Sequence, residues 1–141
     1  MHPRWRAAGA GAAAAIVWGA LEPIDRRIFR HDYSDIAVLG KAFTRGPAWQ
    51  PLGFAIHAVN GAAFGLVYHE LSRRMPRNPR RLALELALLE HLVLFPTGHF
   101  VDRFHPARGR PGVARLFHRR AFAQATFRHT IFGLVLGRLG T

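Results

Sequence analysis

The sequence predicts an all-α fold, a four-helix integral membrane protein that forms one domain over residues 1–141, and two observations lead to this prediction. Half of the 141 residues are hydrophobic, although the formal net charge is +12. The 20 basic residues, all Arg except Lys41, lie mainly in blocks separated by long stretches almost free of charge. A soluble amphipathic helix would instead carry polar residues along its whole length. The segregation favours a bilayer over a compact soluble helical bundle, which is the alternative interpretation. The blocks are residues 4–6, 26–45, 73–81 and 103–120.

Four apolar stretches between these blocks predict the membrane-spanning helices. They cover residues 7–24, 51–68, 82–101 and 121–136, and a spanning helix needs about 20 predominantly apolar residues. The first stretch is rich in Ala and follows two Arg residues, so a secretory signal peptide is its alternative interpretation. No clear small-residue cleavage site follows it, which favours a spanning helix. Pro96 should kink the third helix.

Two pairs of similar segments predict an internal duplication. Residues 24–26 read Ile-Asp-Arg and residues 101–103 read Val-Asp-Arg, while Phe-Gly-Leu-Val occurs at both 64–67 and 132–135. Because both matches occur in the same order, we expect two tandem helix hairpins related by an axis along the membrane normal. The two Asp-Arg pairs should then lie at one depth. The predicted repeats are residues 7–71 and 82–139.

Several polar residues fall inside the predicted spans, where an ionisable group costs at least about 2.5–3.5 kcal/mol at the helix centre. Such residues persist when they are paired or used in function. We expect Arg128 to pair with Glu85 or Glu90, because an unpaired buried charge is strongly destabilising. His57 and His91 could serve as axial haem ligands, although a His bonded to a neighbouring carboxylate is the commoner arrangement. The intramembrane polar residues are His57, Asn60, Glu90, His91, Arg128 and His129.

A second polar group lies at one membrane boundary, where His99, Asp102 and His105 form an H-x-x-D-x-x-H run on one helical face. These three residues are candidate metal ligands, and carboxylates from the first helix could complete a Zn or Fe site. The alternative is structural, with salt bridges joining Asp25 to Arg103 and Asp102 to Arg26. Both interpretations predict that the boundary residues converge. They are Glu22, Asp25, Arg26, His99, Asp102, Arg103 and His105.

The basic excess raises the question of partners. Nucleic acid is not expected, because apolar spans interrupt the charge and no aromatic residues alternate with the basic ones. Membrane lipids with anionic headgroups fit better, and part of the 26–45 connector could form an interfacial amphipathic helix. The 73–81 loop has five Arg residues in nine, which predicts that it and both termini are cytoplasmic. The opposite side, however, carries eleven basic residues against eight. A composition rich in Ala, Gly and Arg suggests a bacterial inner membrane.

The sequence points to no defined biochemical activity. It contains no Cys, which excludes thiolate metal sites and nucleophiles, and it has no phosphate-binding or nucleophile motif. The leading prediction is therefore a non-enzymatic scaffold or accessory subunit. The alternatives are a membrane-embedded metal-dependent enzyme or metal-binding protein that uses the boundary residues, and a small oligomeric transporter. Gly61 with Gly65, and Gly133 with Gly137, predict close helix contacts within the chain or in a homo-oligomer.

Overall fold

The computed structural model describes residues 2–141, which are helical apart from turns, connecting segments and one isolated β-bridge. The predicted all-α class is confirmed. Pro96 lies in a 3-10 turn that interrupts the third predicted helix, as expected of a proline that removes a backbone donor. The helices are α1 (Pro3–Ile28), α2 (Asp35–Phe43), α3 (Trp49–Arg74), α4 (Pro79–Leu94), α5 (Gly98–Phe104) and α6 (Arg119–Leu139).

Three helical segments are long and apolar enough to cross a membrane, as expected of a multi-pass membrane protein. Each contains 26 residues, and the third runs from α4 through the 3-10 turn to the end of α5. Large apolar side chains on these segments point outwards; Val59, Leu92 and Val93 are each more than half exposed. The fourth predicted span, 121–136, does form a helix, but α6 is not among the three, because polar residues such as Gln124, Arg128 and His129 lower its hydropathy.

The helices form an arc with α1 and α6 at its centre. α1 packs along α3 on one side and along α6 on the other, while α4 packs along α6 and the short α2 lies on α3. Although a four-residue link, 75–78, joins α3 to α4, these two helices pack mainly against the central pair rather than against each other. The bundle therefore has a link half, next to residues 75–78, and a connector half, next to the segments 29–48 and 105–118.

Small residues bring the helices into backbone contact in the link half. A Cβ atom added to Gly11 would lie 2.0 Å from the Gly61 carbonyl oxygen, and one added to Gly65 would lie 2.1 Å from the Ala7 carbonyl oxygen. On the other pair of helices, a Cβ atom at Gly133 would lie 2.7 Å from the Leu84 Cα. The glycines singled out in the sequence thus mediate α1–α3 and α4–α6 packing within one chain.

The two connectors meet each other at the opposite end of the bundle. Tyr33 and Val113 form an antiparallel bridge, in which the Ser34 N–H donates to the Gly112 carbonyl over 2.8 Å. Gly112 has a φ of +82°, a conformation that favours glycine, and a Cβ atom there would lie 2.6 Å from the Ala37 Cβ. The Ser34 hydroxyl caps α2 by accepting the Ala37 N–H. This closed connector layer covers the polar site below it.

Candidate functional site

Arg128 of α6 lies at the centre of a buried polar network in the connector half. Its side chain is 1% exposed, and Asp25 at the end of α1 is 0% exposed. Arg128 Nε donates to Asp25 Oδ2 over 2.6 Å, and Nη2 donates to Asp25 Oδ1 over 2.6 Å. This bidentate pairing matches the planar guanidinium fork to the carboxylate. The pair fixes α6 against α1.

Further acceptors from the first connector complete the coordination of Arg128. Its Nη1 donates to Asp35 Oδ2 over 2.8 Å, and its Nη2 also donates to the Tyr33 carbonyl over 2.8 Å. Glu22 Oε1 is 3.5 Å from Nη1. Gln124 Nε2 donates to Asp25 Oδ1 and to the same Tyr33 carbonyl. One guanidinium thus faces three carboxylates, which makes the surroundings unfavourable for an added anion.

The network also positions α2. The Glu22 carboxylate accepts the Asp35 N–H over 2.7 Å and the Ser34 hydroxyl, so it binds the first turn of α2 from a neighbouring helix. A negative charge at this end is favoured by the helix dipole. Asp35 itself accepts hydrogen bonds from Trp18 Nε1 over 3.0 Å and from the Tyr33 hydroxyl. The first connector is therefore hydrogen-bonded both to α1, through Glu22 and Trp18, and to α6, through Arg128.

The charge of Asp35 is maintained by its partners. Burial alone would raise the pKa of Asp35, but the Arg128 guanidinium, the nearby His57 and the Tyr33 hydrogen bond outweigh it and hold that pKa below its usual range. Burial raises the pKa of Tyr33 well above its usual value, and the Asp35 charge adds to this effect. Tyr33 therefore stays neutral and acts as a donor to an ionised Asp35.

A partly open cavity of about 330 Å³ lies beside this network. It is bounded by α1, α3, α4 and α6, with Asp35 and Tyr33 on its connector side. Aromatic side chains form much of the apolar wall, and imidazole, amide and carboxylate groups form the polar wall. The apolar wall includes Trp18, Phe64, Phe95 and Phe132, and the polar wall includes His57, Asn60, Glu90, His91 and His129.

The three histidines of the cavity lie around aromatic rings rather than around one point. The Trp18 ring centre is 5.0 Å from that of His57 and 4.6 Å from that of His129. His91 Nε2 is 2.9 Å from the Thr126 hydroxyl oxygen. Within residues 2–141, His57 Nε2 has no hydrogen-bond partner. It is therefore a buried polar atom without a partner in a residue of the cavity wall.

His129 and Glu90 form a loose pair on the cavity wall. His129 Nδ1 is 2.8 Å from the Ala125 carbonyl oxygen, so this nitrogen must carry a proton to donate there. The other ring nitrogen, Nε2, lies 3.8 Å from Glu90 Oε2. The pair can offer a bound molecule either a donor or an acceptor, depending on where the proton resides.

The structure distributes the intramembrane polar residues between the cavity and the network. Five of the six line the cavity, and Arg128 lies in the network. The expected partners of Arg128 were wrong, because Asp25 and Asp35 bind it. Glu85 lies near the link and pairs with Arg77 and Arg81 instead.

The boundary residues do not converge as the sequence predicted. Asp25 bonds to Arg128 and not to Arg103, while Arg26 pairs with Asp32 and not with Asp102. The proposed cross-repeat salt bridges were therefore wrong. Asp25 instead binds Arg128 on α6, and Arg26 binds Asp32 in the first connector.

The predicted metal ligands His99, Asp102 and His105 are not brought together. Asp102 accepts the backbone N–H groups of Leu116 and Phe117 over 2.6 and 2.9 Å. Both ring nitrogens of His105 are engaged by backbone groups, and the His99 ring lies against that of Phe117. In the part of the chain that the structure describes, no three His, Asp or Glu side chains are arranged to hold a metal ion.

The sequence did not predict three residues that take part in the Arg128 network and line the cavity, namely Trp18, Tyr33 and Asp35. Trp18 was treated as part of an apolar span, and the other two lie in a connector that was expected to be at the membrane surface. The available signal was the polar run Asp32–Asp35 immediately before a helical segment. Such a run can cap a helix and at the same time reach a buried cation.

Comparison of the chain with protein families, with curated proteins and with solved structures finds no match.

Proposed function

We propose that this chain is a multi-pass membrane protein that binds a small, neutral, lipid-soluble molecule in the cavity, as a non-enzymatic accessory subunit or scaffold. The observation that carries the proposal is the cavity of about 330 Å³, with one polar and one aromatic wall. Small-molecule sites are mostly apolar clefts of about 300–1,000 Å³ with a few placed polar groups. The cavity has these properties.

The walls define the chemistry of the ligand. Trp18, Phe64 and Phe132 would pack against an apolar or aromatic body. His57, with its unpaired Nε2, and Asn60 would hydrogen-bond to a polar head group at the other side. The surplus of carboxylates around Arg128 disfavours an anion. Since α3 and α4 pack little against each other, a ligand could reach the cavity from the lipid between them.

The proposal includes a membrane arrangement with four crossings. α6 would be the fourth spanning helix, because its Arg128 is neutralised by buried carboxylates rather than exposed to lipid. The glycine contacts within α1–α3 and within α4–α6 support two tandem hairpins as the structural units. An even number of crossings would keep both termini on one side, the cytoplasmic side of a bacterial inner membrane.

The test is the content of small molecules in protein purified from membranes in mild detergent. Ala125 lines the cavity and Val59 is exposed on α3, so A125F should fill the cavity and V59F is the matched control. Mass spectrometry of organic extracts should find a discrete neutral compound with the wild type and with V59F, and should not find it with A125F.

A second variant tests whether A125F loses the compound because the protein misfolds. N60L keeps the branching and the number of side-chain heavy atoms but removes the polar contact, so it should also lose the compound while the protein remains folded by circular dichroism. The absence of an enriched compound in the wild type, or its equal retention in A125F and N60L, would overturn the proposed function.

A further inference from the structure

A basic concavity of about 640 Å³ lies outside the cavity described above, between α5 and the second connector. Arg103, Arg108 and Arg115 line it together with His99, and Val101, Val113 and Leu116 supply apolar contacts. All three Arg residues are exposed. The arrangement places three guanidinium groups around one depression in the surface.

These three Arg residues lack carboxylate partners among residues 2–141. Asp102 is the acidic residue of the concavity, and its two oxygen atoms already accept the N–H groups of Leu116 and Phe117. On the link side, by contrast, Arg74, Arg77 and Arg81 are paired with Glu residues. The concavity therefore has an uncompensated positive charge with free donor groups.

The position of the concavity indicates the source of the anion. It lies at the end of the third apolar segment, where Phe100 and Phe104 are 64% and 58% exposed. Exposed Phe side chains favour apolar surroundings, so a ligand here would meet guanidinium groups on one side and acyl chains on the other. Planar guanidinium groups match phosphate oxygens in geometry and charge.

We propose that this concavity binds a phosphate group, presented by the headgroup of an anionic phospholipid. Arg103, Arg108 and Arg115 would donate to the phosphate oxygens, and Phe100 and Phe104 would contact the acyl chains. The site is separate from the cavity between the helices, although Leu116 lies in the walls of both. Arg side chains bind phosphate groups through bidentate, charge-assisted hydrogen bonds.

The experiment measures binding of dioleoylphosphatidylglycerol to the full chain in neutral detergent, by native mass spectrometry or by a shift in the unfolding temperature. Hydrogen bonds to a charged group each contribute at least about tenfold in affinity, so R103Q/R108Q/R115Q should weaken binding by at least about 100-fold. The matched control, R73Q/R80Q/R138Q, removes the same charge on the link side. It should weaken binding by less than about tenfold, since it acts only through long-range attraction.

Two further measurements complete the test. The first distinguishes recognition by the guanidinium group from general attraction by positive charge, and the second distinguishes a lipid headgroup from free phosphate as the ligand. R103K/R108K/R115K keeps the charge but loses the planar fork, so its affinity should fall between those of the wild type and the Gln variant. Inorganic phosphate at millimolar concentration should neither bind nor displace the lipid. Equal losses in the two Gln variants would overturn the site. Binding of inorganic phosphate that R103Q/R108Q/R115Q abolishes would overturn its assignment to a lipid.

Discussion

The link half and the connector half of the bundle are held together by different means. In the link half, Gly11, Gly61 and Gly65 bring the backbones of α1 and α3 into direct contact. In the connector half, the helices are joined by Arg128 and its buried carboxylate partners. Helices in a bilayer associate through small residues or through polar contacts. The four long helices use small residues in the link half and polar contacts in the connector half, where Gly40 and Gly53 also bring α2 into backbone contact with α3.

This difference explains where the cavity lies. Backbone contact leaves little volume between helices, so the cavity ends towards the link half where Gly61 of α3 meets α1. Trp18, His57 and His129 are large, and they keep the helices apart in the connector half. The polar network then supplies the stability that close packing cannot supply there.

Arg128 should give the largest effect, because the connector half depends on it. Arg128→Met would leave Asp25 buried and unpaired, which costs about 3–5 kcal/mol when one partner of a buried ion pair is removed. Unfolding in detergent, followed by circular dichroism during SDS titration, should show this loss. Arg138→Met is the control on the same helix, since Arg138 is exposed and should change stability by less than about 0.5 kcal/mol. Similar stabilities of the two variants would contradict a role for the network.

The link half should respond to volume instead of charge. Gly11→Ala would place a Cβ atom 2.0 Å from the Gly61 carbonyl oxygen, and overpacking of this kind costs about 1–3 kcal/mol. Gly9→Ala is the matched control two residues away, where an added Cβ has nothing within 4 Å. It should stabilise the helix by up to about 1 kcal/mol, since Ala is the better helix former. The same SDS titration measures both, and a neutral Gly11→Ala would show that α1 and α3 are not in backbone contact.

The helices were predictable because charge segregation reports directly on the bilayer. The predicted span 51–68 nevertheless extends to Trp49–Arg74 in the structure. A helix continues beyond the apolar residues because the long stems of Arg73 and Arg74 can reach water from within the last turn. Sequence hydropathy therefore locates a spanning helix better than it locates its ends.

The candidate site was predictable only in part. The cost of polar groups in a span singled out His57, Glu90 and His129, and these residues line the cavity. The partner of Arg128 was not predictable, because Asp35 reaches it from a connector whose path depends on tertiary structure. Sequence separation gives no guide to such a contact.

The Asp-Arg motifs at 25–26 and 102–103, which led to the predicted duplication, should give a smaller difference in stability. Asp102 is partly exposed and accepts two backbone N–H groups, whereas Asp25 is fully buried against Arg128. Asp102→Asn retains one acceptor, so it should cost about 0.5–1.5 kcal/mol, the net value of one hydrogen bond. Asp25→Asn should cost at least twice as much in the same unfolding assay. Equal losses would indicate that the duplication preserved one structural role for both motifs.

The smallest effect is a pH dependence from the connector layer. Burial alone would raise the pKa of Asp32, but the Gly112 N–H, at 2.9 Å, and the Arg26 guanidinium outweigh it and hold that pKa below its ordinary value of 3.8. The fold therefore favours ionised Asp32. Its contribution to stability is fully present above pH 3.8 and is lost as the pH falls through the lower value in the folded protein. Because solvent screens the exposed Arg26–Asp32 ion pair, Asp32→Asn should lower the free energy of unfolding by less than about 1 kcal/mol near pH 6. The difference between Asp32→Asn and the wild type should shrink below pH 3.8 in unfolding measured from pH 6 to pH 2, and a difference that grew on acidification would contradict the assignment.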